Sequence, residues 1–146
     1  MAALDENAAD QGGFFNSCFN SGAGAAFVPA GVYMIDGTIF HNGTAPNKVG
    51  IYIPDNFTLT MTRDTVLQSF AWDGVGSELT SSIISLYNKD NITITGGHLK
   101  GDITLTDVGN HTVINYNGLN LRGATNITIK DMVCSNHMGE GFVVGY

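Results

Sequence analysis

Three stretches of the chain gather side chains of the types that move protons or hold sugars. Gln68 to Ser82 carries Trp72, Asp73 and Glu78. Lys100 to Asn117 carries Lys100, Asp102, Asp107, His111 and Tyr116, and the segment from His137 adds His137 and Glu140. Two carboxylates flanking a groove are the apparatus of glycoside hydrolysis, one as acid and the other as base or nucleophile. Asp102 and Glu140 are the candidate pair. Elimination beside a sugar carboxylate needs a base instead, for which His111 and Lys100 are suited, and a positive stabiliser, Arg122 or a bound Ca2+. The flat indole of Trp72, next to Asp73-Gly74, offers a stacking face for a sugar ring. The candidate catalytic residues are therefore Asp102, Glu140 and His111, and the candidate substrate-binding residues are Trp72, Asp73, Lys100 and His137. No stretch shows regular metal-ligand spacing, so no metal site and no cofactor are expected, save Ca2+ in the case of a lyase. Each residue also has a structural role open to it. Asp102 after Gly101, and Glu140 between Gly139 and Gly141, suit turns. Trp72 suits a loop anchor, and His98 suits a packed strand position.

An internal repeat is the element that must position these side chains. Asn56-Phe57-Thr58-Leu59, Asn91-Ile92-Thr93-Ile94 and Asn126-Ile127-Thr128-Ile129 recur 35 residues apart. A fixed period between 20 and 50 residues marks a solenoid or array. Each unit alternates apolar and polar residues, the mark of a strand with one buried face. A second alternating pair precedes each Asn (Ile51/Ile53, Ile84/Leu86, Leu119/Leu121). A third candidate strand follows each, around Val66-Leu67, His98-Leu99 and Met132-Val133. Three short strands per period with glycines at the corners describe one coil of a parallel β-helix, and the recurring Asn is expected to form an amide ladder between coils. The period is longer than three strands need, so insertions at about 68–82 and 100–117 are expected to project from one face, one rung apart. Loops stacked on a rigid scaffold are where binding and catalysis concentrate.

Composition narrows the field. Six Lys and Arg against 13 Asp and Glu give a net charge of −7, which argues against nucleic-acid and anionic-membrane partners. Within the repeat reading, 1–22 forms an amino-terminal cap segment and 23–146 the β-helix. Phe14, Phe15, Cys18 and Phe19 predict one apolar face of a short capping helix. The first residues carry no basic region and no apolar run, so no signal peptide is read there, and no stretch has the length of a membrane span. Two cysteines, Cys18 and Cys134, cannot build a disulfide framework. Five Asn-x-Thr sequons occur, at Asn42, Asn56, Asn91, Asn110 and Asn126, three of them explained by the repeat.

Four segments resemble the pectin-lyase-like right-handed parallel β-helix superfamily. Gly22-Ala23-Gly24-Ala25-Ala26-Phe27-Val28-Pro29-Ala30-Gly31-Val32-Tyr33-Met34-Ile35 is similar to its entry strand, Pro-Ala-Gly turn and next strand. Thr95-Gly96-Gly97-His98-Leu99-Lys100-Gly101-Asp102 resembles its Gly-Gly-x-Ile-x-Gly-Asp segment. Gly118 to Asp131 resembles its strand pair around an Asn. Asn136 to Gly145 resembles a terminal Trp-Gly-Asp-Gly-Ile-Tyr-Ile-Gly motif, with Glu140 in place of Asp and no Trp. The resemblance implies an all-β, right-handed parallel β-helix of about three to four coils behind the capping helix. It implies a polysaccharide lyase or glycoside hydrolase, a polysaccharide as partner, and an extracellular or virion setting. The competing expectation is a non-catalytic glycan-binding or structural segment of an adhesin or phage tailspike. The low number of basic residues favours a neutral glycan over a polyuronate. A rung open at Tyr146 is expected to be covered by further coils or by self-association.

Overall fold

The structure is a computed structural model that describes residues 10–35, 48–69, 81–101, 116–137 and 139–145. Twelve strands among them form three four-stranded sheets. The first sheet stacks β1 (Ala25–Val28), β4 (Phe57–Met61), β7 (Asp90–Thr95) and β10 (Thr125–Lys130). The second stacks β2 (Gly31–Ile35), β5 (Thr65–Ser69), β8 (His98–Lys100) and β11 (Val133–Ser135). The third stacks β3 (Lys48–Tyr52), β6 (Ser81–Ser85), β9 (Tyr116–Asn120) and β12 (Phe142–Val143). Every pairing is parallel and joins strands one coil apart. The chain visits the first, second and third sheets in turn and repeats the circuit. This is an all-β parallel solenoid, with four coils among the described residues.

Alternation along each strand fills the interior with stacked columns. Phe57, Ile92 and Ile127 are register partners, as are Leu59, Ile94 and Ile129. The second sheet contributes Tyr33, Leu67, Leu99 and Cys134, and the third Ile51, Ile84 and Leu119. Ile51, Ile53, Phe57, Leu59, Ile84, Leu86, Ile92, Ile94 and Leu119 are all buried, as the alternation predicts. Ile127 and Ile129 belong to the same columns but are only partly buried, because residues of the fourth coil have a described neighbour on one side alone. Leu121, after β9, is also only partly buried. The third sheet departs from simple alternation. Ser82, Ile83, Ile84, Ser85 and Leu86 are all 0% exposed, so both faces of β6 are withdrawn from water.

The repeated Asn occupies the corner that leads into the first sheet. Asn56, Asn91 and Asn126 have φ of 57, 57 and 51°, a left-handed conformation that Asn tolerates better than other side chains. The three superpose in register, and the Asn91 amide donates to the Asn56 side-chain oxygen at 2.9 Å. The next step differs from a continuous amide ladder. Asn126 donates to Asp90 Oδ1 at 2.8 Å, and the Thr125 hydroxyl donates to the same oxygen at 2.6 Å. Asp90 wins because a carboxylate is the stronger acceptor, and these two bonds hold its pKa below the usual 3.8. Asn91→Ala should cost about 2 kcal/mol, combining the left-handed penalty with one lost hydrogen bond. Asn91→Gly keeps the backbone conformation and should cost about 1 kcal/mol or less. Urea unfolding of the two variants, followed by circular dichroism, separates the two contributions.

The cap is α1 (Gly12–Phe19). The expected four-residue apolar face narrows to Phe15 and Phe19, both 2% exposed, whereas Phe14 and Cys18 are exposed. Residues four apart share one helix line, and Phe14 with Cys18 forms the adjacent line about 100° round. Phe15 meets Tyr33 edge-on with centroids 5.5 Å apart, and Phe19 meets Phe57 at 5.2 Å. Side-chain amides on and beside α1 finish the exposed strand edges. Asn16 donates to Gly50 O at 2.9 Å and accepts from Tyr52 N at 2.7 Å, the pattern of a parallel strand neighbour. Gln11 does the same to Met34 with its backbone N–H and Oε1. An otherwise open sheet edge is thus covered without another strand.

Candidate functional site

All the long connections leave the solenoid at one corner. The segments from the second sheet to the third are 36–47, 70–80, 101–115 and 136–141, whereas the other two corners take two to four residues. Trp72, Asp73, Glu78, Asp102, Asp107 and His111 lie outside the described residues, as does any Ca2+ site they would form, and the side chain of Tyr116 is likewise outside them. Lys100, His137 and Glu140 are described, and all three sit at or beside this corner.

Lys100 ends β8 and is the register partner of Ser135 in β11. Both side chains are half-buried on the outward face, in the column that includes Gln68. His98, two residues before Lys100, shares that face, and its Nε2 lies 2.7 Å from Ser135 Oγ. The expectation of a satisfied strand histidine for His98 agrees with this contact. Ser135 carried no signal in the composition of its neighbourhood. The signal was positional: 98 and 135 differ by one 35-residue period plus two, which places them diagonally on one sheet face.

His137 points the other way. Its Nε2 donates to the Leu99 carbonyl at 2.9 Å, tying the start of the 136–141 connection to the coil beneath. Its Nδ1 is buried with no hydrogen-bond partner among the described residues. Burial holds the pKa of this imidazole below 6.5, partly opposed by the Leu99 bond, with His98 adding a smaller downward push. A Cβ on Gly118 would come within 2.9 Å of His137 Nε2 and 3.1 Å of Cys134 Sγ, so only glycine leaves room for that pair. Burial also pushes the Cys134 thiol up to about 11, which keeps it protonated and unreactive at neutral pH.

The unfolded chain takes up its His137 proton near 6.5 and the folded one only at lower pH, so the unfolded state binds more protons between the two values. The stability His137 contributes is therefore complete above pH 6.5 and is lost as pH falls toward the depressed folded value. Urea midpoints measured from pH 7.5 to 5 should fall for the wild type, and His137→Gln should remove part of that slope.

Glu140 is exposed, and its backbone N–H donates to Asn117 Oδ1 at 2.9 Å. Extending the Phe142–Leu119 register places Glu140 over Asn117 at the mouth of the third sheet. Asn117 is 0% exposed and its Nδ2 has no partner among the described residues. Glu140 is thus held by its main chain with the carboxylate directed to solvent, beside the corner that Lys100 and Ser135 reach from the second sheet. Arg122 is a correction to the sequence reading. It follows β9 at the corner between the third and first sheets, where its N–H donates to Asn120 Oδ1 at 3.1 Å. The fold separates it from the corner that holds Lys100, so it cannot be the stabilising cation there.

Among the described residues no group of three or more His, Cys, Asp or Glu side chains could hold a metal ion, and no helix is long and apolar enough to cross a membrane. Fold and site together define a class: a parallel β-solenoid with one decorated corner and a polar outward face beside it. No family model matches the chain, and no solved structure matches it. It is similar to an uncharacterized protein of Bacillus subtilis (strain 168), YclG, at 25% identity over 138 residues. That match covers 88% of this chain and 23% of the relative, so the chain spans less than a quarter of its length.

Proposed function

We propose that the solenoid is a right-handed β-helix of the pectin-lyase-like kind and that it acts on a polysaccharide laid across the second sheet. The handedness rests on the near-universal right-handed crossover between parallel strands. The functional reading rests on one observation: four successive connections leave the same corner, beside a face where His98, Lys100 and Ser135 are fixed in register. Parallel strands about 4.8 Å apart repeat their outward side chains along the solenoid axis, which suits an extended, repeating ligand. Lys100 would serve as base or as the cation beside a sugar carboxylate, and Glu140 as the acid from the far side of the corner. In a hydrolase Asp102 would be its partner, with His111 as a further catalytic candidate and Trp72 and Asp73 binding the chain, while His137 is held to the Leu99 carbonyl.

The test is turnover of a panel of neutral and acidic polysaccharides, read by reducing-sugar release and by absorbance of unsaturated uronides. The expected result is activity on at least one polymer, reduced about 100-fold or more by Glu140→Gln or Lys100→Ala with the fold retained. Retention of the protein in a polysaccharide affinity gel without turnover assigns it to the non-catalytic glycan-binding reading. Neither binding nor turnover on any polymer refutes both.

A further inference from the structure

We propose that Ser135 and His98 form a nucleophile and base for hydrolysis of O-acyl esters, an activity distinct from cleavage of a glycan backbone. It rests on the polysaccharide reading only for the acyl carrier, an O-acylated sugar. Five features carry it. The Nε2–Oγ separation is 2.7 Å, the hydrogen-bond reach a serine nucleophile needs to its base. Both residues belong to paired parallel strands, with Val133 opposite His98 and Ser135 opposite Lys100, so the contact is built into the sheet. Both side chains are half-buried on the outward face, reachable by a ligand yet partly shielded from water. Ser135 is the last residue of β11, and Asn136, at φ 55°, turns the chain away immediately after it. That leaves Oγ at the strand's end, on the corner where the long connections depart. The Gly101 N–H donates to Ser135 O at 2.8 Å and fixes the main chain behind the nucleophile.

The reaction balances with water as the only co-reactant. Ser135 Oγ adds to the ester carbonyl carbon as its proton passes to His98 Nε2. The Lys100 ammonium, on the register partner of Ser135, is the cation available to the oxyanion. The carbon–oxygen bond to the sugar then breaks, and the sugar oxygen takes the proton back from the imidazolium. Water adds to the acyl-serine, gives a proton to Nε2, and the carbon–Oγ bond breaks. Oγ recovers that proton, and the carboxylic acid leaves.

The experiment uses the full chain with a fluorophosphonate probe and with p-nitrophenyl acetate. The expected result is covalent labelling, located by peptide mass spectrometry at Ser135, and ester turnover that falls about 100-fold or more in Ser135→Ala and in His98→Gln. Circular dichroism and thermal melts verify folding. Should Ser135→Ala fail to fold, Ser135→Cys keeps size and nucleophile, and rapid alkylation at that position, slowed by His98→Gln, is the expected outcome. Absence of labelling in the folded wild type, labelling at another residue, or labelling unchanged in Ser135→Ala overturns the proposal. A protein that cleaves or binds polysaccharide but resists the probe loses this pair alone. One that is labelled yet ignores every polysaccharide keeps the pair and loses the glycan reading.

Discussion

Gly96→Ala is expected to cost at least about 3 kcal/mol, a large share of the about 5–15 kcal/mol that domains of this size hold in all. Gly96 begins the turn from the first sheet to the second, at φ 77°. A side chain there carries the left-handed penalty of about 1–2 kcal/mol. It would also run into the backbone carbonyl of Met61 in the coil beneath, and that carbonyl cannot swing aside without disturbing β4. Gly97 provides the contrast. Its φ is 85°, but a Cβ there would press on the side chain of Met61, within 2.6 Å of Cε, and methionine can change rotamer. Gly97→Ala should therefore be the milder change of the two. Urea unfolding followed by far-ultraviolet circular dichroism ranks them. Equal costs would mean that the backbone contact at Gly96 contributes nothing.

Ile94→Ala is expected to destabilise by about 2–5 kcal/mol, the range for deleting a fully buried aliphatic side chain. Ile94 is 0% exposed, with Leu59 stacked on one side and Ile129 on the other. The hole cannot close, because both neighbours are fixed by their own sheet hydrogen bonds. Ile129→Ala removes the same atoms from the same column, yet Ile129 is only partly buried. Its cost should be about half as large, since less apolar surface returns to water. Comparable losses at the two positions would mean that the fourth coil is covered in solution as thoroughly as the third.

Much of this architecture was legible because a solenoid writes its period into the chain. One 35-residue spacing of Asn-x-Thr-x located the corner, and the alternation on either side assigned Ile51, Leu59, Ile94 and Leu119 to the interior. Each coil depends on the same local rule, so reading one coil reads the next. The insertions were legible for the same reason, as residues beyond what three strands require. The capping helix was visible as a cluster of aromatics. Its buried line, Phe15 and Phe19, was settled only by where Tyr33 and Phe57 stood to receive it.

What tertiary structure alone decided were the contacts between coils that do not respect the repeat. Asp90 captures Asn126 and Thr125 and interrupts the amide ladder, because a carboxylate one residue off the repeated position is the better acceptor. His98 meets Ser135 across a diagonal, and His137 turns under the corner to Leu99. Arg122 falls at a different corner from Lys100, although 22 residues of sequence separate them in a chain where 35 close a circuit. The sequence by itself determined the period, the strands and the columns, because these follow from hydrophobic alternation and one residue type repeated at a single corner. Only the stacked coils decided which polar side chains meet, because those pairings depend on register and on distances of a few ångströms between segments 35 to 38 residues apart.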